Sequence, residues 1–68
     1  MILKIKKPNT SQANEFNELY FKLINYTDKM ARKDSLYIEF ELFLLPDVDE
    51  ESFIKLIKTH PLYYTHTL

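Results

Sequence analysis

His60 and His66 are the only histidines in this 68-residue chain, and it has no cysteine. A zinc site takes three or four ligands, so these imidazoles would need help from Asp47, Asp49, Glu50 and Glu51. The four acids would also suit a hard divalent cation, yet they lack the twelve-residue loop and glycine turn of a calcium hand. Acids at the start of a helical pattern are what the positive end of a helix favours by itself. Nucleophilic catalysis would rest on Ser11, Ser35 or Ser52, and each fits a cap or turn better. None of them lies in a nucleophile-elbow motif. Glycine is absent, which removes the loops that bring backbone against phosphate in nucleotide-binding proteins. The expectation is a protein without catalysis, cofactor or metal.

Binding chemistry is better represented. Residues 1–33 carry seven basic and three acidic groups, net +4, and residues 34–68 carry two and seven, net −5. Lys6, Lys7, Lys29, Arg32 and Lys33 would form a basic edge for nucleic acid, and Tyr37, Phe43 and Tyr63 would supply stacking faces. Phosphate neutralisation supplies most of such affinity. Glu39 and Glu41, on the same expected surface, oppose it, as does the overall charge of −1.

These side chains must be positioned by five elements. Residues 2–7 alternate, with Leu3 and Ile5 on one side and Lys4 and Lys6 on the other, as in a short strand. Pro8 to Ser11 breaks it and opens a helix, because Asn, Thr and Ser accept the orphan N–H bonds of a first turn. Ala13, Phe16, Leu19, Tyr20, Leu23, Ile24, Thr27 and Met30 recur at three and four, an apolar stripe that predicts a helix. Phe21 falls outside the stripe. Residues 29–35 read as a polar connection.

The central strand is 36–45. Leu36, Ile38, Phe40, Leu42 and Leu44 alternate on an apolar face, and Tyr37, Glu39, Glu41, Phe43 and Leu45 occupy the other. Asp49 then caps a second helix, with Val48 and Phe53 as its hydrophobic staple. Pro61 ends that helix, and residues 62–68 form a third, aromatic and threonine-rich strand.

The order β-α-β-α-β predicts a two-layer α/β fold with a three-stranded sheet in order 1-2-3. Right-handed crossovers would then place both helices on one face. Order 2-1-3 would instead bury Lys4, Lys6, Glu39 and Glu41. An α+β ferredoxin-like variant needs a fourth strand, and residues 36–45 contain no turn to make one.

Residues 1–68 allow a single small domain. A core this size leaves only about 3–5 kcal/mol of net stability, and with disulfides excluded a homodimer is expected. Phe, Tyr, Ile, Asn and Lys are abundant and Ala and Arg scarce, a composition that points to an AT-rich bacterial or phage genome. No apolar run reaches the roughly 18–20 residues of a membrane span. The order Met1 to Lys7 is not that of a secretory leader, so a cytoplasmic location is expected. The sheet face without helices would show Lys4, Lys6, Tyr37, Glu39, Glu41, Phe43, Leu45, Tyr63, Thr65 and Thr67. Its mix of charges and aromatics resembles a protein contact, with Phe21 as a possible addition from the helix. The function expected is that of a small non-catalytic regulator or inhibitor that binds another protein or itself. The alternative is a dimeric nucleic-acid-binding regulator using the basic edge.

Overall fold

A computed structural model describes residues 1–68. The elements are β1 (Ile2–Ile5), α1 (Ala13–Tyr26), β2 (Thr27–Asp34), β3 (Ile38–Leu44), α2 (Glu50–Lys58) and β4 (Tyr63–Thr67), with a 3₁₀ turn at Thr10–Gln12 leading into α1. The sheet has four strands in order β2-β3-β1-β4, every neighbouring pair antiparallel. This overturns the three-stranded 1-2-3 sheet and its α/β class. The molecule is a two-layer α+β fold with the ferredoxin-like element order.

The missing strand is β2, in residues taken from sequence as the tail of α1 and a polar connection. Helix α1 stops at Tyr26 because Thr27 turns extended, at φ −118° and ψ 145°. The Thr27 hydroxyl donates to the Leu23 carbonyl at 2.6 Å, satisfying one orphan acceptor of the last turn. The chain enters β2 with no intervening loop. Residues 35–37 then reverse it into β3, since Asp34 already faces Ile38. Leu36 sits at the tip of this hairpin, 87% exposed, outside the strand expected to contain it.

The parallel pairing expected between residues 2–7 and 36–45 is absent, since β1 and β3 are antiparallel, and each helix instead joins two strands that are not neighbours. β1 and β2 both run antiparallel to β3, so they are parallel to each other with β3 inserted between them. β3 and β4 are likewise parallel, with β1 between them. Inserting a strand into each crossover converts every neighbouring pair to antiparallel. An antiparallel sheet can leave one face to water, whereas parallel sheets are almost always covered on both.

One core lies between the sheet and the helix layer. Leu3 and Ile5 of β1 and Ile38, Phe40 and Leu42 of β3 meet Leu19 and Leu23 of α1, Phe53 and Ile57 of α2, and Leu62. Both helices therefore cover the same face. Asp49 caps α2, accepting from the Ser52 N–H at 3.0 Å and the Ser52 hydroxyl at 2.6 Å. Val48 packs against the core beside Phe53, as the staple requires. His60 is buried after α2, and its Nδ1 accepts the Leu62 N–H at 3.1 Å. No residue has positive φ, so a chain without glycine makes all its turns from ordinary conformations. No helix is long and apolar enough to cross a membrane.

Candidate functional site

The bare face is assembled by alternation. Because Ile38, Phe40 and Leu42 point into the core, Glu39, Glu41 and Phe43 of β3 point away from it, and Tyr37, just before β3, continues the alternation. On β1, Leu3 and Ile5 are buried, so Ile2 and Lys4 share the bare face. Register adds β2: Lys29 lies opposite Phe43, Ala31 opposite Glu41 and Lys33 opposite Glu39. Thr65 and Thr67 of β4 lie opposite Lys4 and Ile2.

Local contacts hold these side chains. The Lys29 Nζ lies 5.0 Å from the centre of the Phe43 ring, within cation–π range. Lys4 and Glu39 approach to 3.9 Å across the two central strands. Both are partly solvated, so the pair orients more than it stabilises. At the hairpin end Tyr37 stacks on Tyr64 with ring centres 4.3 Å apart and planes 13° from parallel. The neighbouring Tyr64 phenol raises the Tyr37 phenol above its ordinary pKa.

Tyr63, expected here, is elsewhere. The pairing of β1 with β4 shifts between Lys4 and Ile5, so β4 holds an extra residue at that point. The bulge turns Tyr63 toward the core, where its hydroxyl lies 2.7 Å from His66 Nδ1. Tyr64 takes its place on the bare face. Phe21 is 64% exposed, but it belongs to α1 in the opposite layer and does not join this surface. Lys6 is exposed just beyond the end of β1.

The residues of the expected basic edge are divided. Lys29 and Lys33 stand on the bare face with Glu39 and Glu41 beside them. Arg32 points the other way, 5.6 Å from the Phe16 ring, and binds Asp34 through two bonds of 2.8 and 3.0 Å. That double hydrogen bond holds the Asp34 carboxyl below its usual range and raises the Arg32 guanidinium. Lys6 and Lys7 are exposed in the connection after β1.

No three histidine, aspartate or glutamate side chains converge as a metal site. Ser52 serves the α2 cap, and the Ser11 hydroxyl donates to Asn9 Oδ1 at 2.7 Å. A cleft of about 520 Å³ opens between the end of α1 and the start of α2, with Tyr26, Val48, Phe53 and Leu56 among its walls and Asp47 and Asp49 beside them. Asp49 is committed to its cap, and the cleft holds no paired acid and base. A smaller depression of about 280 Å³ on the bare face is lined by Ile2, Lys4, Glu39, Thr65, His66 and Thr67. No family model matches this chain, and no curated protein or solved structure does either.

Sequence reasoning missed Lys29, Ala31, Lys33 and Tyr64 as members of this face. The first three alternate, and Lys33 lies directly opposite Glu39. That charge complementarity is a hairpin signal. Tyr64 could not be assigned, because a bulge changes which residue faces out.

Proposed function

We propose that this protein is a small non-catalytic regulator or inhibitor that grips another protein with its bare sheet face. One observation carries the reading: a four-stranded sheet, covered by helices on one side only, presents aromatics and charges of both signs on the other. Phe43 and the Tyr37–Tyr64 stack supply apolar anchors at opposite ends of β3, and aromatic side chains dominate contact energy when desolvated. Lys4, Lys29, Lys33, Glu39 and Glu41 lie between them and would fix orientation and reject wrong partners. A cytoplasmic location goes with this reading, in line with a small domain free of cysteine.

The test is photo-crosslinking in the host cell, with a photoreactive phenylalanine analogue at position 43 or, as control, at position 21 on the helix layer. A discrete protein adduct at 43, absent at 21 and lost when Glu39→Lys and Glu41→Lys are added, is expected. No adduct at 43, or the same adducts at both positions, overturns the reading.

A nucleic-acid regulator is the second reading, favoured by Lys4, Lys29 and Lys33 sharing a face with Phe43 and Tyr37–Tyr64. Glu39 and Glu41 between those lysines would repel phosphate. Single-strand binding that weakens by orders of magnitude between about 50 and 200 mM salt would favour it.

A further inference from the structure

The two edges of the sheet are built differently. Five of the eight residues of edge strand β2 are charged: Asp28, Lys29, Arg32, Lys33 and Asp34. Edge strand β4, Tyr-Tyr-Thr-His-Thr, has no acid, lysine, arginine, glycine or proline. An edge strand presents unpaired N–H and C=O groups to other chains, and charged side chains blunt it. β2 is guarded by charge along its length; β4 is not, and its one bulge, at Tyr64, lies ahead of Thr65–Thr67.

The ladder identifies which groups of β4 are free. Met1 donates its N–H to the Leu42 carbonyl and accepts the Leu42 N–H. Met1, Leu3 and Ile5 therefore direct their backbone groups toward β3, and by alternation Ile2, Lys4 and Lys6 direct theirs toward β4. The Lys6 N–H bond to the Leu62 carbonyl, at 2.8 Å, agrees. Thr65 and Thr67, opposite Lys4 and Ile2, thus face inward to β1, and the N–H and C=O of His66 point out from the free edge.

We propose that β4 pairs antiparallel with β4 of a second copy across a two-fold axis, joining two sheets into one of eight strands. Three observations favour a second copy. β4 laid against itself opposes no like-charged side chains of the acid, lysine or arginine kind. Pairing centred on His66 sets Thr65 opposite the partner's Thr67, a favourable cross-strand pair on the bare face. The two-fold arrangement also consumes both unguarded edges and leaves only the guarded β2 edges outside, so assembly closes at two. β4 against β2 of another copy would run on without closing. The proposal is independent of the partner-binding reading, because edge pairing leaves the bare face open and doubles its width.

Light scattering across a concentration series from low micromolar upward tests it, on the parent chain and on His66→Pro, Thr67→Lys and Phe43→Glu. Proline at 66 deletes the outward N–H and no β1 bond, and edge strands tolerate it there. Lysine at 67 guards the edge as β2 is guarded. The parent is expected at twice the 8.2 kDa chain mass. Thr67→Lys and His66→Pro are expected to weaken the dimer about tenfold or more with unchanged circular dichroism, and Phe43→Glu to leave it intact. If His66→Pro does not fold, Thr67→Lys alone decides. A parent that stays at 8.2 kDa throughout overturns the proposal. So does a dimer that survives Thr67→Lys, or one that Phe43→Glu dissociates while Thr67→Lys does not.

Discussion

Asp49 shows how much one side chain settles locally. Its carboxylate accepts both the hydroxyl and the backbone N–H of Ser52, and these bonds, hydroxyl first, hold its pKa below the usual value. A carboxyl with a lowered folded pKa stabilises the fold above its unfolded pKa, and that contribution disappears as pH falls through the folded value. Asp34, held down by Arg32, behaves with the same sign. Melting temperature should therefore drop as the protein is acidified below about pH 4, the unfolded Asp value. Asp49→Asn keeps a neutral cap acceptor and removes the titrating group. Its melting temperature should be lower at pH 7 and should fall less on acidification, as followed by circular dichroism from neutral to acidic pH. A parent and variant with parallel pH profiles would show that the cap does not carry the acid sensitivity.

At the scale of elements, the junction of α1 and β2 decides the topology. A helix continued through Met30 leaves no residues for a fourth strand. Thr27 ends it with a hydroxyl bond back to Leu23 and a β-branched, extended backbone. Thr27→Ala removes that bond and restores helix propensity at the junction. It should cost about 0.5–1.5 kcal/mol, read from the urea midpoint; an unchanged midpoint would mean that the hairpin alone fixes the boundary. The two helices, the strand at β3 and the cap at Asp49 were legible because each rests on a local signal, either periodicity or a capping residue. β2 was not, because edge strands lie half in water on both faces. Among Thr27–Asp34 only Thr27 and Met30 are partly buried, and their spacing of three also fits a helix stripe. The candidate site was legible along β3, where alternation is strict. It was lost on β4, where the bulge puts Tyr64 outside and Tyr63 inside.

At the scale of the molecule, the charge imbalance between the halves of the chain becomes a difference between layers. The bare face sets Lys4, Lys29 and Lys33 against Glu39 and Glu41, whereas the helices and the loop before α2 carry Glu15, Glu18, Asp47, Asp49, Glu50 and Glu51 against Lys22, Lys55 and Lys58. Ten buried apolar residues form the one core between these layers, and a core of this size leaves about 3–5 kcal/mol. Phe40 and Phe43, on the same strand, test how the two faces divide the work. Phe40 is 1% exposed and packs at the centre of the core; Phe43 is 43% exposed and touches Lys29. Truncating a buried phenylalanine to alanine costs about 3–5 kcal/mol, which is the whole margin, so Phe40→Ala should be largely unfolded at 25 °C. Phe43→Glu sets a carboxylate opposite Lys29 on an open surface and should move stability by no more than about 0.5 kcal/mol. Urea unfolding of both variants reads this directly. A Phe43→Glu protein that unfolds with Phe40→Ala would mean that the face assigned to a partner is instead part of what holds the chain together. A folded Phe43→Glu protein that loses an adduct otherwise formed from a photoreactive analogue at position 37 would place Phe43 in binding alone.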